Sequence, residues 1–272
     1  MAYLVAIDNG HGLNTAGKRC PDDSMREWSF NHAVAKLLEV RLEKCGINTY
    51  MVSDTSQGTP LRTRSSRANT KKATIFVSIH ANAAGDKWCT ANGIETLYSQ
   101  GSTKGKALAD KLQKRLIEAT GLRNRGLVPR NDIHVLRATT MPAALVECGF
   151  MDNKNEAALL KSEAYRIKCA DAICKGICDY LGVKYVPYTT SASKPSTDSL
   201  YEPKDSNAVV TASVLNVRAG RGTSYKIVGK FVKNQKVKLL SLADNWWSVD
   251  VPLEWDKRGY AFIHKDYVKK TK

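Results

Sequence analysis

The chain has 272 residues and a formal net charge of +16, from 42 basic and 26 acidic residues. That length exceeds the usual single domain, so two domains are expected. Its seven cysteines are odd in number and form no C-x-x-C pair, which argues against a disulfide framework and fits reduced thiols.

The charge is shared unevenly. Residues 1–184 carry 27 basic and 18 acidic side chains, whereas residues 208–272 carry 13 and 5. Such a field favours a polyanionic partner: nucleic acid, anionic lipid or an anionic wall polymer. The basic residues are spread along the chain with no recognition motif, so nucleic acid is not an expected partner. At the N-terminus, the apolar run in MAYLVAIDNGHG is short and meets an aspartate, unlike a signal peptide or a membrane span. Synthesis in the cytoplasm is therefore expected.

Residues 3–8, YLVAID, predict a strand running into Asn9-Gly10-His11-Gly12, where two glycines allow a sharp turn that presents the imidazole. Helical spacing begins at Glu27 and stops at Cys45-Gly46. The strand INTYMV follows, then a basic helix with Arg62, Arg64 and Arg67 read as a solvated face. TIFVSIHAN, residues 74–82, is β-branched or aromatic and ends in His80 and Asn82. GIETLYS predicts another strand and Ser102 to Thr120 a helix ended by Gly121. A largely irregular stretch holds His134-Val135-Leu136, with His134 a candidate for the cleft wall. PAALVECGF, Pro142 to Phe150, predicts a buried strand ending in Glu147. Asn153-x-x-Glu156 reads as a helix start with Asn as cap and Glu reaching back, and a last helix runs from Ser162 to Leu181. Cys174 and Cys178, one turn apart on it, read as helix packing. The alternation predicts an α/β sheet covered by helices on both faces.

Residues 185–207 switch to Ser, Thr, Pro, Lys and Asp without a period, the texture of a linker. From Ala208, short β-type runs separated by Gly, Asn or Asp predict a small all-β barrel.

Ligands bind outside the carboxyl ends of strands in open α/β sheets. His11, His80 and Glu147 are expected there, with Glu27 at a helix start. A catalytic zinc site needs three N or O ligands and an open position, and two imidazoles with one carboxylate satisfy that count. The remaining acid then serves as general base and acid, taking a proton from the attacking water and giving it to the leaving amine.

DNGHG at Asp8–Gly12, Glu27 opening a helix, FVSIHAN at Phe76–Asn82 and PAALVECGF at Pro142–Phe150 together resemble the zinc-dependent N-acetylmuramoyl-L-alanine amidases over roughly residues 3–182. The resemblance implies Zn2+ as cofactor, His11, Glu27 and His80 as its ligands, Glu147 as the catalytic glutamate, and peptidoglycan as substrate. It implies hydrolysis of the amide between the lactyl group of N-acetylmuramic acid and L-alanine. Asp22 and Asp23 compete with Glu27 on proximity alone. LNVRAGRGTSYKIVGKFVKNQKVKLL, NWWSVDV and GYAFIHKDYV resemble the bacterial SH3-like wall-anchoring domain, departing from it by an insertion at Pro252–Lys257. Tyr225, Trp246, Trp247 and Tyr260 are its candidate wall-binding residues, with at least one tryptophan expected in the core.

The resulting layout is a catalytic domain over 1–184, a linker over 185–207 and a wall-binding domain over 208–272. Without a leader, it fits a phage endolysin that acts at the wall on peptidoglycan and anionic wall polymers. An exported autolysin, an inactive wall-binding module and a zinc peptidase of the stem peptide are the competing readings.

Overall fold

The computed structural model describes residues 3–53, 56–188, 207–223, 225–243, 245–252, 255–256 and 260–271. The chain divides into two compact units, Met1–Thr189 and Thr190–Lys272. Among the described residues, no helix is long and apolar enough to cross a membrane.

The first unit is built on a six-stranded sheet of β1 (Leu4–Asn9), β2 (Asn48–Ser53), β3 (Ile75–Asn82), β4 (Ile94–Ser99), β5 (Asn124–Arg130) and β6 (Ala143–Phe150), ordered β2-β1-β3-β6-β4-β5. The first four of these positions run parallel, β4 is antiparallel to β6, and β5 is parallel to β4. The helices are α1 (Glu27–Lys44), α2 (Leu61–Thr70), α3 (Thr103–Thr120), α4 (His134–Arg137), α5 (Lys154–Lys161) and α6 (Glu163–Leu181).

Side chains alternate across a strand, and here the alternation sorts two cores. Val5, Ile7, Ile75, Val77, Ile79, Ala144 and Val146 join Leu38 of α1, Leu112 of α3 and Ile173 of α6. Ala6, Phe76, Ala143 and Leu145 join Ala68 of α2 and Val135 and Leu136 of α4. The same period of two carries the second face onward to Asp8, Ser78, His80 and Glu147. That face is apolar along the strands and polar at their carboxyl ends, where the site lies.

Three local expectations are corrected. The stretch read as irregular contains β5 and α4. β5 is an edge strand that includes Gly126, with φ of 87°, and Pro129, residues an edge tolerates because one side needs no ladder bonds. Asn153 caps α5 by accepting from the amides of Asn155 and Glu156, but Glu156 does not reach back. Its carboxylate accepts from Gly93 N at 2.8 Å and Phe150 N at 2.7 Å. Arg64 is no solvated residue: it is 3 % exposed and paired with Asp8. Arg62 and Arg67 are exposed, and Arg67 donates to Val52 O.

The linker reading covers residues of two kinds. Tyr185 and Val186 pack on the first unit's core and Tyr188 lies under the Arg41 guanidinium, while residues 189–206 lie outside the described residues. Cys45, Cys174 and Cys178 bring their sulfurs within 4.8 Å of one another in that core.

The second unit is all-β: β7 (Ala208–Val210), β8 (Val214–Arg218), β9 (Ile227–Val232), β10 (Lys236–Val237), β11 (Leu239–Ala243), β12 (Trp246–Asp250), β13 (Tyr260–His264) and β14 (Val268–Lys270). A five-stranded sheet ordered β11-β12-β13-β8-β9 and a three-stranded sheet ordered β10-β7-β14, antiparallel throughout, enclose Leu215, Val217, Phe231, Val249 and Ile263. Of the insertion at 252–257, residues 253, 254 and 257 lie outside the described residues, and Trp255 packs against Phe231.

Candidate metal centre

The chain turns sharply after β1, but the turn belongs to the histidine. His11 itself takes the left-handed conformation, with φ of 64°, and neither flanking glycine does. The glycines serve close approach. A Cβ on Gly10 would stand 2.1 Å from Cε1 of His80, and one on Gly12 would stand 2.6 Å from the Gly58 backbone.

His11 and His80 meet edge to face, ring centroids 4.9 Å apart. Glu27, 1 % exposed at the start of α1, lies between them. Its Oε1 accepts from His80 Nδ1 at 2.8 Å, from Asn31 Nδ2 at 3.2 Å and from Ala81 N at 3.3 Å. Its Oε2 is 3.2 Å from His11 Nε2. One donor atom from each of His11, Glu27 and His80 lies within 4.8 Å of the others. Asp22 and Asp23 stand apart from this set: Asp22 bonds Ser24 and Asp23 pairs with Arg19 and Arg26.

The electrostatics suit a cation. Burial opposes the ionisation of Glu27, but the His80 hydrogen bond and the two imidazoles outweigh it and hold its pKa at about 2. Burial lowers the His11 pKa to about 4, so its ring is neutral and free to donate a lone pair. Burial also opposes charge on His80, yet Glu27 overcomes this and raises its pKa. The His80–Glu27 contact thus joins two of the groups that would hold a divalent ion. The donor set fits zinc: two imidazole nitrogens and one carboxylate.

Glu147 sits opposite His80 in the β3–β6 register. Its Oε2 is sealed from solvent and has no hydrogen-bond partner. Burial first, then the charges of Glu27 and Glu95, raise its pKa to about 8 against the opposing pull of His80. His11, His80 and Glu147 border a cleft of about 480 Å³ whose lining also includes Arg64, Leu61 and His134, while Glu27 lies buried behind it. His134 therefore reaches the cleft wall, 3.3 Å from Ser65 Oγ. Asn82 donates to Glu95, which also pairs with Arg125 at 2.7 Å.

Sequence reading missed Arg64, Asp8, Asn31 and Glu95. Asp8 was within reach, since it continues the inward alternation of β1 as a charged residue.

The wall-binding candidates do not share one surface. Trp246 and Trp247 are successive in β12 and so face opposite ways. Trp246, 9 % exposed, borders a groove of about 440 Å³ with Arg218, His264 and Tyr267. Trp247 packs on the barrel core with Lys270 over its ring. Tyr225 lies over Gly220, and Tyr260 meets Phe262 edge-on.

A mixed sheet that brings two imidazoles and a glutamate to one cleft, with a buried carboxylate between the imidazoles, has the groups a metal-dependent hydrolase uses. Residues 5–179 match the family described as N-acetylmuramoyl-L-alanine amidase, and residues 213–269 match the bacterial SH3 domain. The chain belongs to this amidase family and is a peptidoglycan amidase with a C-terminal bacterial SH3 domain. It is 33 % identical over 187 residues to an endolysin of Bacillus phage SPP1, covering 68 % of each chain. Another relative, the uncharacterized protein YqiI of Bacillus subtilis, is 34 % identical over 179 residues, 65 % of this chain and 84 % of that one. Among solved structures, an N-acetylmuramoyl-L-alanine amidase from Clostridium difficile aligns with TM-score 0.63 and 36 % identity, over 66 % of this chain and 97 % of that one.

Proposed function

We propose that the protein is a zinc-dependent endolysin that cuts the bond between N-acetylmuramic acid and L-alanine, with His11, Glu27 and His80 holding the metal and Glu147 moving the proton. The observation that carries this reading is the convergence of those three donors beside a buried, unpartnered glutamate oxygen. Zinc would supply a Lewis acid at the amide carbonyl and make water acidic enough to lose a proton near neutral pH.

The chain's own groups account for the rest. Glu147 takes the proton of the attacking water and delivers it to the leaving alanine nitrogen. Its place opposite His80 in the β3–β6 register puts it beside the metal donors, where both transfers would occur. Leu61, Ile133 and Leu145 line the cleft with apolar surface that limits water beside the reacting bond. The second unit would bring the cleft to the wall, its positive charge favouring anionic wall polymers. Likeness to the SPP1 endolysin supports a lytic role.

The test is digestion of purified peptidoglycan with product identification by mass spectrometry, for wild type, Glu147→Ala and EDTA-treated enzyme. We expect the wild type to release peptides with N-terminal L-alanine from intact glycan, Glu147→Ala to release none while retaining zinc, and added zinc to restore the treated enzyme. Cleavage within the stem peptide would assign a peptidase instead. Sedimentation with the wall without release would leave a binding module.

A further inference from the structure

Arg64 is almost fully buried, and its guanidinium is spent on the loop that carries His11. Nη1 donates to Asp8 Oδ1 at 2.8 Å and to Asn9 O at 3.0 Å, Nη2 donates to His11 O at 2.8 Å, and Nε donates to Thr59 O at 2.6 Å. Asp8, 1 % exposed, is fixed from its other oxygen by Ser78 Oγ at 2.7 Å. One planar group thus grips the main chain on both sides of Gly10, through the carbonyls of Asn9 and His11.

That grip lies on a turn with a strained backbone. His11 has φ of 64°, a left-handed conformation that a non-glycine residue keeps only where its surroundings enforce it. A buried ion pair seldom adds net stability over apolar packing, because both charges lose their water. A second buried arginine shows the ordinary alternative. Arg41, 2 % exposed, pairs with Asp171, whose side chain is 29 % exposed, and donates to Leu37 O within its own helix α1. Of these two pairs, the Arg64 pair is the one tied to a strained turn that ends at a site imidazole.

We propose that Arg64, seated by Asp8 and Ser78, is the positioning residue of the metal centre. It holds the His11 main chain in the left-handed conformation and so aims the His11 ring at Glu27 and His80. The fork shape is essential, since a lysine ammonium cannot meet the Asp8 carboxylate and both carbonyls in one plane. The inference rests on His11 being a zinc ligand.

The test uses the full chain and three readouts: zinc dissociation constant by chelator competition, the visible spectrum of the Co2+-substituted protein, and melting in excess EDTA. Arg64→Met and Arg64→Lys are expected to weaken zinc by about 10- to 100-fold, the range found when residues orienting a metal ligand are lost, and to shift the Co2+ bands. Ser78→Ala, which leaves Arg64 in place, is expected to weaken zinc several-fold. Arg41→Met is the matched control, expected to lower the melting temperature in EDTA with zinc affinity and spectrum as in wild type. If Arg64→Met and Arg64→Lys melt early but bind zinc and colour Co2+ as wild type does, the positioning role is overturned. If the Arg64 variants do not fold, unchanged zinc affinity in Ser78→Ala overturns it. If His11→Ala binds zinc as tightly as wild type, the ligand assignment fails and the positioning role falls with it.

Discussion

Gly10 has no room for a side chain, because a Cβ there would fall within 2.1–2.6 Å of three atoms of the His80 ring. The ring cannot yield without leaving Glu27, whose Oε1 is 2.8 Å away. Gly10→Ala should therefore cost at least 10-fold in zinc affinity and a comparable loss of activity, measured by chelator competition and wall digestion. Glu27→Gln should strip zinc and activity together, because the amide removes the negative charge that draws on both imidazoles. A Glu27→Gln protein with full metal content would remove Glu27 from the ligand set. His11, His80 and Glu147 were candidates in sequence because each is a polar residue ending an apolar run, and Glu27 because it opens a helix; the resemblance to the amidase family then gave each its proposed role. Arg64 was not among these candidates, because in LRTRSSRANT it looks like its neighbours Arg62 and Arg67. Its burial depends on Asp8, 56 residues earlier, and only the tertiary fold brings the pair together.

Elements meet at Glu156, the first-turn acid of α5. Its two oxygens accept from Gly93 N, just before β4, and Phe150 N, at the end of β6. Removing the carboxylate leaves two buried amides without an acceptor, each costing about 1–3 kcal/mol. Glu156→Ala should destabilise the first unit by about 2–6 kcal/mol on that basis, with Glu156→Gln milder because one oxygen still accepts. Far-UV circular dichroism of the full chain during urea unfolding isolates this effect, since all the α-helices among the described residues lie in the first unit. A midpoint equal to that of wild type would mean water or rearrangement satisfies both amides. The sequence pattern N-x-x-E pointed to a reciprocal cap, and its first half holds. The second half fails because the Asn153 amide already donates to Phe150 O, so the carboxylate serves donors that have no other acceptor. β5 escaped reading for a related cause: glycine and proline within an edge strand imitate a loop.

At the scale of the molecule, the proposal divides two tasks between the two units, cutting in the first and holding in the second. The second unit's segment, residues 208–272, has 13 basic and 5 acidic residues, a net of +8 on 65 positions. If that charge holds the protein on anionic wall polymers, attachment should weaken as salt screens it, with the Debye length falling from about 10 Å at 0.1 M to about 3 Å at 1 M. The catalytic unit needs a boundary chosen by packing rather than by composition. Tyr185 and Val186 cover its core, Val186 N donates to Cys45 Sγ at 3.3 Å, and Tyr188 lies against Arg41. A chain of residues 1–188 should therefore melt higher than one of residues 1–184, and both should hold one zinc. Neither should sediment with purified walls as fully as the complete protein at low salt. The salt titration separates the two origins of holding. Wall binding by the complete chain that falls steeply between 0.05 and 0.5 M salt, to the level of residues 1–188, would assign anchoring to the charge of the second unit. Binding that stays constant over that range would assign it to uncharged contacts such as the Trp246 groove. Equal sedimentation of the truncated and complete chains would place the anchor in the catalytic unit itself.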